Sequence, residues 1–306
     1  MLRRDFIKKT IASSAYTAFG SLTLESCSAT NGKHITILHT NDVHSHVLPF
    51  PQDHPEYANL GGIARRASLI DQVRRENKNT LLLDAGDIFQ GTPFFNYYGG
   101  EVEFKLMSKL GYNASTLGNH DFDNGIDGLN KQLPNATFDF IISNYDFKNT
   151  VLDAKTKPYK IYELNGVRVG VFGLGIELDG LVTKNLYKET QYLDPVETSQ
   201  EMVEILKNRE HSELIICLSH LGYYYKSYPD KISDLNLAKQ TKDIDLIIGG
   251  HTHTFLPKPT LVKNLDNKNV LVNQVGKWGI NLGKIDFYLD NESNISAKGT
   301  QIILNS

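Results

Sequence analysis

Five short apolar runs in this chain end in the same kinds of residue, and that repetition narrows the possible folds more than any other feature of the sequence. Ile35 to Leu38 leads into His39-Thr-Asn-Asp42-Val-His44, Thr80 to Leu83 into Asp84-Ala-Gly-Asp87, and Ala114 to Leu117 into Gly118-Asn119-His120-Asp-Phe-Asp123. Leu214 to Leu218 leads into Ser219-His220, and Leu246 to Ile248 into Gly249-Gly250-His251-Thr-His253. Each run reads as a strand that opens into a turn. In open α/β sheets ligands gather beyond the carboxyl ends of the strands. Five strand ends carrying Asp, His and Asn therefore predict five contributions to one site.

The intervening sequence supplies the rest of an α/β pattern. Gly61-Gly62 opens a predicted helix to about Lys78, with Ile63, Ala67, Ile70 and Val73 on one face. A second helix is expected over roughly Glu101 to Leu110, and a third runs from Asp194-Pro195 to about Arg209. Strands are expected at Phe138 to Ser143, Tyr159 to Leu164 and Val167 to Leu174, the last two joined by the hairpin signal Asn165-Gly166. The tail is strand-rich: Val270 to Gln274, Gly283 to Leu289, Gln301 to Leu304. Alternating strands and helices with added antiparallel hairpins predict a mixed two-sheet sandwich flanked by helices.

The first 27 residues differ in kind. Met1-Leu-Arg3-Arg4-Asp5-Phe6-Ile7-Lys8-Lys9 is a basic start, followed by an uncharged run from Thr10 to Leu24 that is too short to span a bilayer. Residues 1–27 are expected to be an export signal, and the Arg3-Arg4-x-Phe6-Ile7-Lys8 order resembles the twin-arginine type. Leu24-Glu25-Ser26-Cys27 resembles a lipoprotein cleavage box, which would anchor the mature chain to a membrane through lipidated Cys27; a plain cleaved signal is the alternative. Either way the mature protein is expected outside the cytoplasm, periplasmic or membrane-anchored. Residues 28–33 read as a linker and 34–306 as one domain, for which 40% hydrophobic content is ample. A formal net charge of -3 offers no basic footprint for duplex nucleic acid. Two cysteines, Cys27 and Cys217, exclude a disulfide framework, and Cys217 within Leu-Ile-Ile-Cys-Leu is expected to be a buried small hydrophobe.

The candidate ligands are Asp42, His44, Asp87, Asn119, His220, His251 and His253. A set of Asp, His and Asn without cysteine suits intermediate or hard divalent cations. Seven ligands exceed what one catalytic ion with open positions can use, so two ions are expected, drawn from zinc, manganese, cobalt, iron or magnesium, with Asp87 the candidate bridge. A metal pair of this kind favours phosphate ester hydrolysis. His120 beside Asn119, with Asp123 three residues on to hold one imidazole nitrogen, forms a candidate dyad for the leaving group. The histidines at 34, 39, 46, 54 and 211 are ordinary loop side chains on this reading, although His39 and His46 flank the Asp42/His44 motif. Tyr223-Tyr-Tyr225 is aromatic cover over a loop or a surface for a substrate ring.

Asp42-Val-His44, Gly86-Asp87, Gly118-Asn-His-Asp-Phe-Asp123, Ser219-His220 and Gly250-His-Thr-His253 together resemble the signature blocks of the calcineurin-like metallophosphoesterases. His39 to His46, Asn119 to Gly125 and Val272 to Gly283 resemble the 5′-nucleotidase branch, and the resemblance covers roughly residues 34 to 290. It implies a four-layer α/β/β/α sandwich. It also implies one ion on Asp42, His44, Asp87 and His253, a second on Asp87, Asn119, His220 and His251, and His120 with Asp123 as the transition-state dyad. Asn119, His120 and Asn144 are the implied substrate contacts, and a nucleotide or other small phosphate ester the implied substrate. Members of that branch continue into a second domain that grips the base, whereas this sequence ends at Ser306. Three expectations follow: an exported phosphomonoesterase of the 5′-nucleotidase type, the metal-holding subunit of a two-chain complex that is nearly inert alone, or an enzyme for another bond. The last includes cyclic nucleotides, nucleotide sugars and sulfur esters.

Overall fold

The computed structural model describes residues 32–290 and 294–305, so the expected export signal and Cys27 lie outside the described residues. Two six-stranded sheets carry the fold. In the first, the order is β14 (Ile295–Ile303), β13 (Asn281–Leu289), β1 (Lys33–Thr40), β2 (Thr80–Asp84), β3 (Ala114–Ser115) and β4 (Asp139–Phe140). The second runs β11 (Thr260–Lys263), β12 (Asn269–Asn273), β10 (Leu246–Gly249), β9 (Leu214–Ser219), β7 (Val167–Leu174) and β6 (Tyr159–Leu164). A minor pair, β5 (Tyr145–Asp146) and β8 (Gln191–Tyr192), stands apart.

Side-chain alternation along the strands divides the core into three layers. Ile35 and Ile37 of β1, Leu81 and Leu83 of β2, Leu214, Ile216 and Leu218 of β9, and Leu246 and Ile248 of β10 fill the space between the sheets. The residues between them point the other way. Leu38 and Leu82 pack under α1 (Ile63–Glu76) and α3 (Glu101–Leu110), with Ile70, Val73, Phe104 and Met107. Ile215, Cys217 and Ile247 pack under α6 (Pro195–Glu204) and α7 (Asp234–Gln240), with Met202, Val203 and Leu237. Strands buried on both faces need continuous apolar runs, which is why the runs are so plain in the sequence. The result is the expected four-layer α/β/β/α sandwich. Cys217 is fully buried, as expected.

Parallel pairing of β1, β2 and β3 in one sheet, and of β7, β9, β10 and β12 in the other, sets the carboxyl ends of the ligand-bearing strands on common ground. Several boundaries differ from expectation. Strand β3 has two residues where the run Ala114 to Leu117 predicted four, because the chain leaves the sheet after Ser115. The strand expected at Phe138 to Ser143 contracts to β4 plus a bridge from Ile141 to Lys157. The last strand is the longer Ile295–Ile303, antiparallel to β13. Short helices at α2 (Pro93–Tyr98), α4 (Gly125–Gln132), α5 (Lys184–Tyr187) and α7, and strand β11, carry too few apolar repeats to announce themselves. The helix from Pro195 ends at Glu204 and continues as a wider turn to Arg209. No helix among the described residues is long and apolar enough to cross a membrane.

Candidate metal centre

Loops leaving five strands build the site. Asp42 and His44 follow β1, Asp87 follows β2, Asn119 follows β3, His220 follows β9, and His251 and His253 follow β10. Ligand atoms of Asp42, His44 and His253 lie within 4.8 Å of one another, and so do those of Asp87, His220 and His251. The two groups adjoin: His44 Nε2 is 3.8 Å from Asp87 Oδ2, and His220 Nε2 is 4.0 Å from Asp42 Oδ1. Asn119 Oδ1 joins the second group, 2.8 Å from His251 Nδ1. All seven expected ligands are thus brought together.

Contacts behind the rings fix where their protons sit. His44 Nδ1 lies 3.2 Å from the carbonyl of Phe89, and His220 Nδ1 lies 2.6 Å from that of Ala85. A carbonyl only accepts, so each ring donates from Nδ1 and, when neutral, aims the Nε2 lone pair into the site. His44 Nε2 then meets His253 Nε2 at 3.0 Å, and His220 Nε2 meets Asp87 Oδ2 at 3.1 Å. Lone pairs facing one another, or facing a carboxylate, repel unless positive charge lies between them. Two carboxylates, four imidazoles and an amide oxygen, with no thiolate, are the donors of a borderline or hard divalent cation. The residues present fit a pair of such ions.

The titration behaviour points the same way. Burial lowers the pKa of His44, and burial with the neighbouring His220 lowers that of His251 to about 4. Burial also opposes charge on His220, yet Asp87 and Asp42 outweigh it and push the pKa up to about 10. Asp87 is held well below the usual carboxylate range because His220 and His44 overcome the effect of burial. Positive charge between Asp87 and His220 is favoured, whether it comes as a proton or as a cation.

Main-chain donors aim the carboxylates. Both oxygens of Asp42 accept from the amide of His251, at 2.9 and 3.1 Å, and Asn41 Nδ2 donates to Oδ2 at 2.6 Å. Asp87 Oδ1 accepts from the amide of His120 at 2.8 Å. Gly118 and Gly86 make this closeness possible: a Cβ on Gly118 would collide with the Asp87 carboxylate, and one on Gly86 would come within 2.5 Å of the Gly118 nitrogen. Asp42, His44, Asp87, His251 and His253 all have φ between 49° and 69°, the left-handed region that residues with a Cβ seldom occupy.

His120 stands beside the cluster, its ring centroid 5.3 Å from that of His44. Its Nδ1 is 2.9 Å from Asp123 Oδ2, and that hydrogen bond is the main cause that raises its pKa. Asn144 is placed differently from the expected substrate contact. It is fully buried, and its amide is bonded both ways to the backbone of Gly175, at 2.7 and 2.9 Å, so it shapes the wall behind the site. Tyr223 and Tyr225 are tied by their hydroxyls to Thr260 and the Leu221 carbonyl, as loop cover. His39 is buried against Asn273, 2.8 Å away. Asp121 was given no role by the sequence, yet its buried carboxylate accepts amides from Asp87, Gly118, Ile88 and Phe89. Its position within the Asn119-to-Asp123 block was the only available signal.

Comparison with known proteins agrees with this geometry. Residues 35–255 match the family described as calcineurin-like phosphoesterase. A snake venom 5′-nucleotidase from Gloydius brevicauda is 34% identical over 292 residues, covering 89% of this chain and 48% of that protein. The crystal structure of a 5′-nucleotidase precursor from Thermus thermophilus superposes with a TM-score of 0.79 at 35% identity, over 88% of this chain and 54% of the other. That of the calcineurin-like phosphoesterase YfkN from Bacillus subtilis superposes with a TM-score of 0.70 at 28% identity, over 89% and 91%. The chain spans about half the length of the snake venom relative. A match running through most of the folded unit, on a chain whose strand ends converge in this way, makes this chain a member of the calcineurin-like phosphoesterase family.

Proposed function

We propose that this domain is a dinuclear metal-dependent phosphomonoesterase that hydrolyses 5′-nucleotides to nucleosides and phosphate. The observation that carries the reading is the adjoining pair of ligand groups, Asp42 with His44 and His253, and Asp87 with His220 and His251, whose donor atoms converge within 4.8 Å in each group. Asp42, His44, Asp87 and His253 would hold one ion, and Asp87, Asn119, His220 and His251 the other. When bound, such a pair supplies Lewis acidity and neutralises charge that develops on the phosphoryl oxygens. The chain's own groups supply the rest. His120, whose protonated form the Asp123 contact favours, would present Nε2–H to the leaving oxygen. The nucleotide part of the proposal rests on the names of the snake venom and Thermus relatives, both 5′-nucleotidases.

Export belongs to the same proposal and rests on the Arg3-Arg4 signal and the Cys27 box; labelling with radioactive palmitate would be lost in Cys27→Ser. For the central proposal, metal content is measured alongside hydrolysis of AMP, a cyclic nucleotide, a nucleotide sugar and a sulfur ester with Mn²⁺, Zn²⁺ and Co²⁺. Two ions per chain and preferential hydrolysis of AMP are expected. Fewer than two ions in the replete protein would refute the dinuclear reading.

A further inference from the structure

We infer that a half-buried aromatic cluster next to the Asp42–His44 loop is a stacking platform for the flat base of the nucleotide, an inference that rests on the phosphoesterase reading above. His46, Phe50, His54, Tyr57 and Trp278 form a continuous group of rings. Phe50 lies at its centre, with centroids 4.9 Å from His46, 4.7 Å from His54, 5.5 Å from Tyr57 and 5.4 Å from Trp278. Tyr57 and Trp278 close the group at 5.3 Å.

Its surroundings are not those of a core. The aromatic group that fills the helix-covered layer contains Phe89, Phe104 and Phe122, all fully buried. All five rings beside the site are only partly covered. They are also continuous with the ligand loops. His46 lies two residues beyond His44, and the amide of Trp278 donates to the carbonyl of Asp42 at 2.7 Å. Trp278 has φ 62°, a backbone state disfavoured for any side chain with a Cβ. The strap from Val275 to Gly279 therefore holds an indole in a strained position at the edge of the site.

The face of that indole is accessible to a charged group, since the Lys277 ammonium sits 3.9 Å from its centroid. A nucleobase would take the same face and exchange one π contact for another. Aromatic stacking accepts every base, because each has a π-face, so the platform predicts recognition of a flat leaving group with little preference among bases.

Trp278 is the only tryptophan in the sequence, so intrinsic fluorescence reports on this position alone. The full-length, metal-replete protein is titrated with adenosine, a product that it cannot hydrolyse, and separately with ribose. Saturable quenching by adenosine and none by ribose is expected. No response to adenosine, or the same response to ribose, overturns the inference. In parallel, the ratio of kcat/KM for AMP to that for ribose 5-phosphate is compared in wild type, Trp278→Ala and Trp278→Phe. The ratio should fall about tenfold in the alanine variant, mainly through KM, and recover in the phenylalanine variant; a ratio unchanged in Trp278→Ala overturns the inference. Failure of the phosphoesterase reading looks different, because neither phosphate ester is then cleaved while the fluorescence arm still decides whether adenosine stacks.

Discussion

Replacing Asp121 by asparagine tests how the site is held together, because the change alters one atom and no volume. The carboxylate of Asp121 is fully buried. Its Oδ2 accepts the amides of Asp87 at 3.0 Å and Gly118 at 2.8 Å, and its Oδ1 those of Ile88 at 2.9 Å and Phe89 at 3.2 Å. Asparagine keeps one oxygen for two of these donors and turns an NH₂ toward the other two, and flipping the amide only moves the mismatch. Each buried donor left without a partner costs about 1–3 kcal/mol, so the pair costs roughly 2–6 kcal/mol. The β2 and β3 loops must then separate, which displaces Asp87 from His220. A melting temperature lower by on the order of 10 °C is expected by calorimetry, together with metal content below two ions per chain by elemental analysis. Burial and the charge of Asp87 push the pKa of Asp121 up to about 7, so a neutral side chain is the alternative account. If Asp121→Asn melts with the wild type and keeps both ions, the carboxylate is not the clamp and the reasoning fails.

His120→Asn should lower kcat by roughly 10²–10⁴ and leave metal content intact; loss of metal would make His120 a ligand. The Asp123 hydrogen bond raises the pKa of His120 above its ordinary 6.5, so the protonated ring persists to higher pH than in a free imidazole and is lost as pH rises further. The wild-type kcat profile should therefore show an alkaline limb that this variant lacks. Asp234, fully buried with Ser219 Oγ donating to it at 2.6 Å, has its pKa raised by burial to about 8, against about 3.9 when unfolded. Its contribution to stability is fully present below the unfolded value and is lost as pH rises through about 8. Asp234→Asn should accordingly gain a few degrees in melting temperature over wild type at the alkaline end and nothing at the acid end. Chelation should lower the melting temperature of the wild type and restore little of it until a divalent ion is returned, since an ion that binds only the folded state stabilises it by mass action.

The parts of this molecule legible in the sequence are those that repeat a simple pattern. Strands β1, β2, β9 and β10 could be located because burial on both faces demands uninterrupted apolar residues. Their loops could be assigned because Asp and His at a strand end have few other reasons to be grouped. Asn165-Gly166 was legible for a local reason: both residues take the left-handed backbone that a tight hairpin needs. Asp121 was not legible, because its role comes from four amides belonging to two loops that meet only in the fold. Asn144 misled for the converse reason. The fold turns its amide into the backbone of Gly175, where both its oxygen and its nitrogen are engaged.

The backbone of the ligands shows why these supporting contacts matter. In ordinary extended geometry Asp42 and His44, like His251 and His253, share a face but stand roughly 6.6 Å apart with side chains parallel, not converging on one point. A left-handed residue at each of these positions turns the chain so that alternate side chains converge. Such residues cost on the order of 1–3 kcal/mol each. Five of them sum to roughly 5–15 kcal/mol, as large as the whole stability of a typical domain. Something must offset that cost locally: the His251 amide and Asn41 on Asp42, the Ala85 and Phe89 carbonyls on the imidazoles, and Asp121 across the two loops. These contacts fix the directions of the ligands, bringing His44 Nε2 to 3.0 Å from His253 Nε2 and His220 Nε2 to 3.1 Å from Asp87 Oδ2. Donor atoms converged on common points at that backbone cost favour positive charge between them, so the geometry of the backbone and the charge of the site argue for the same occupant.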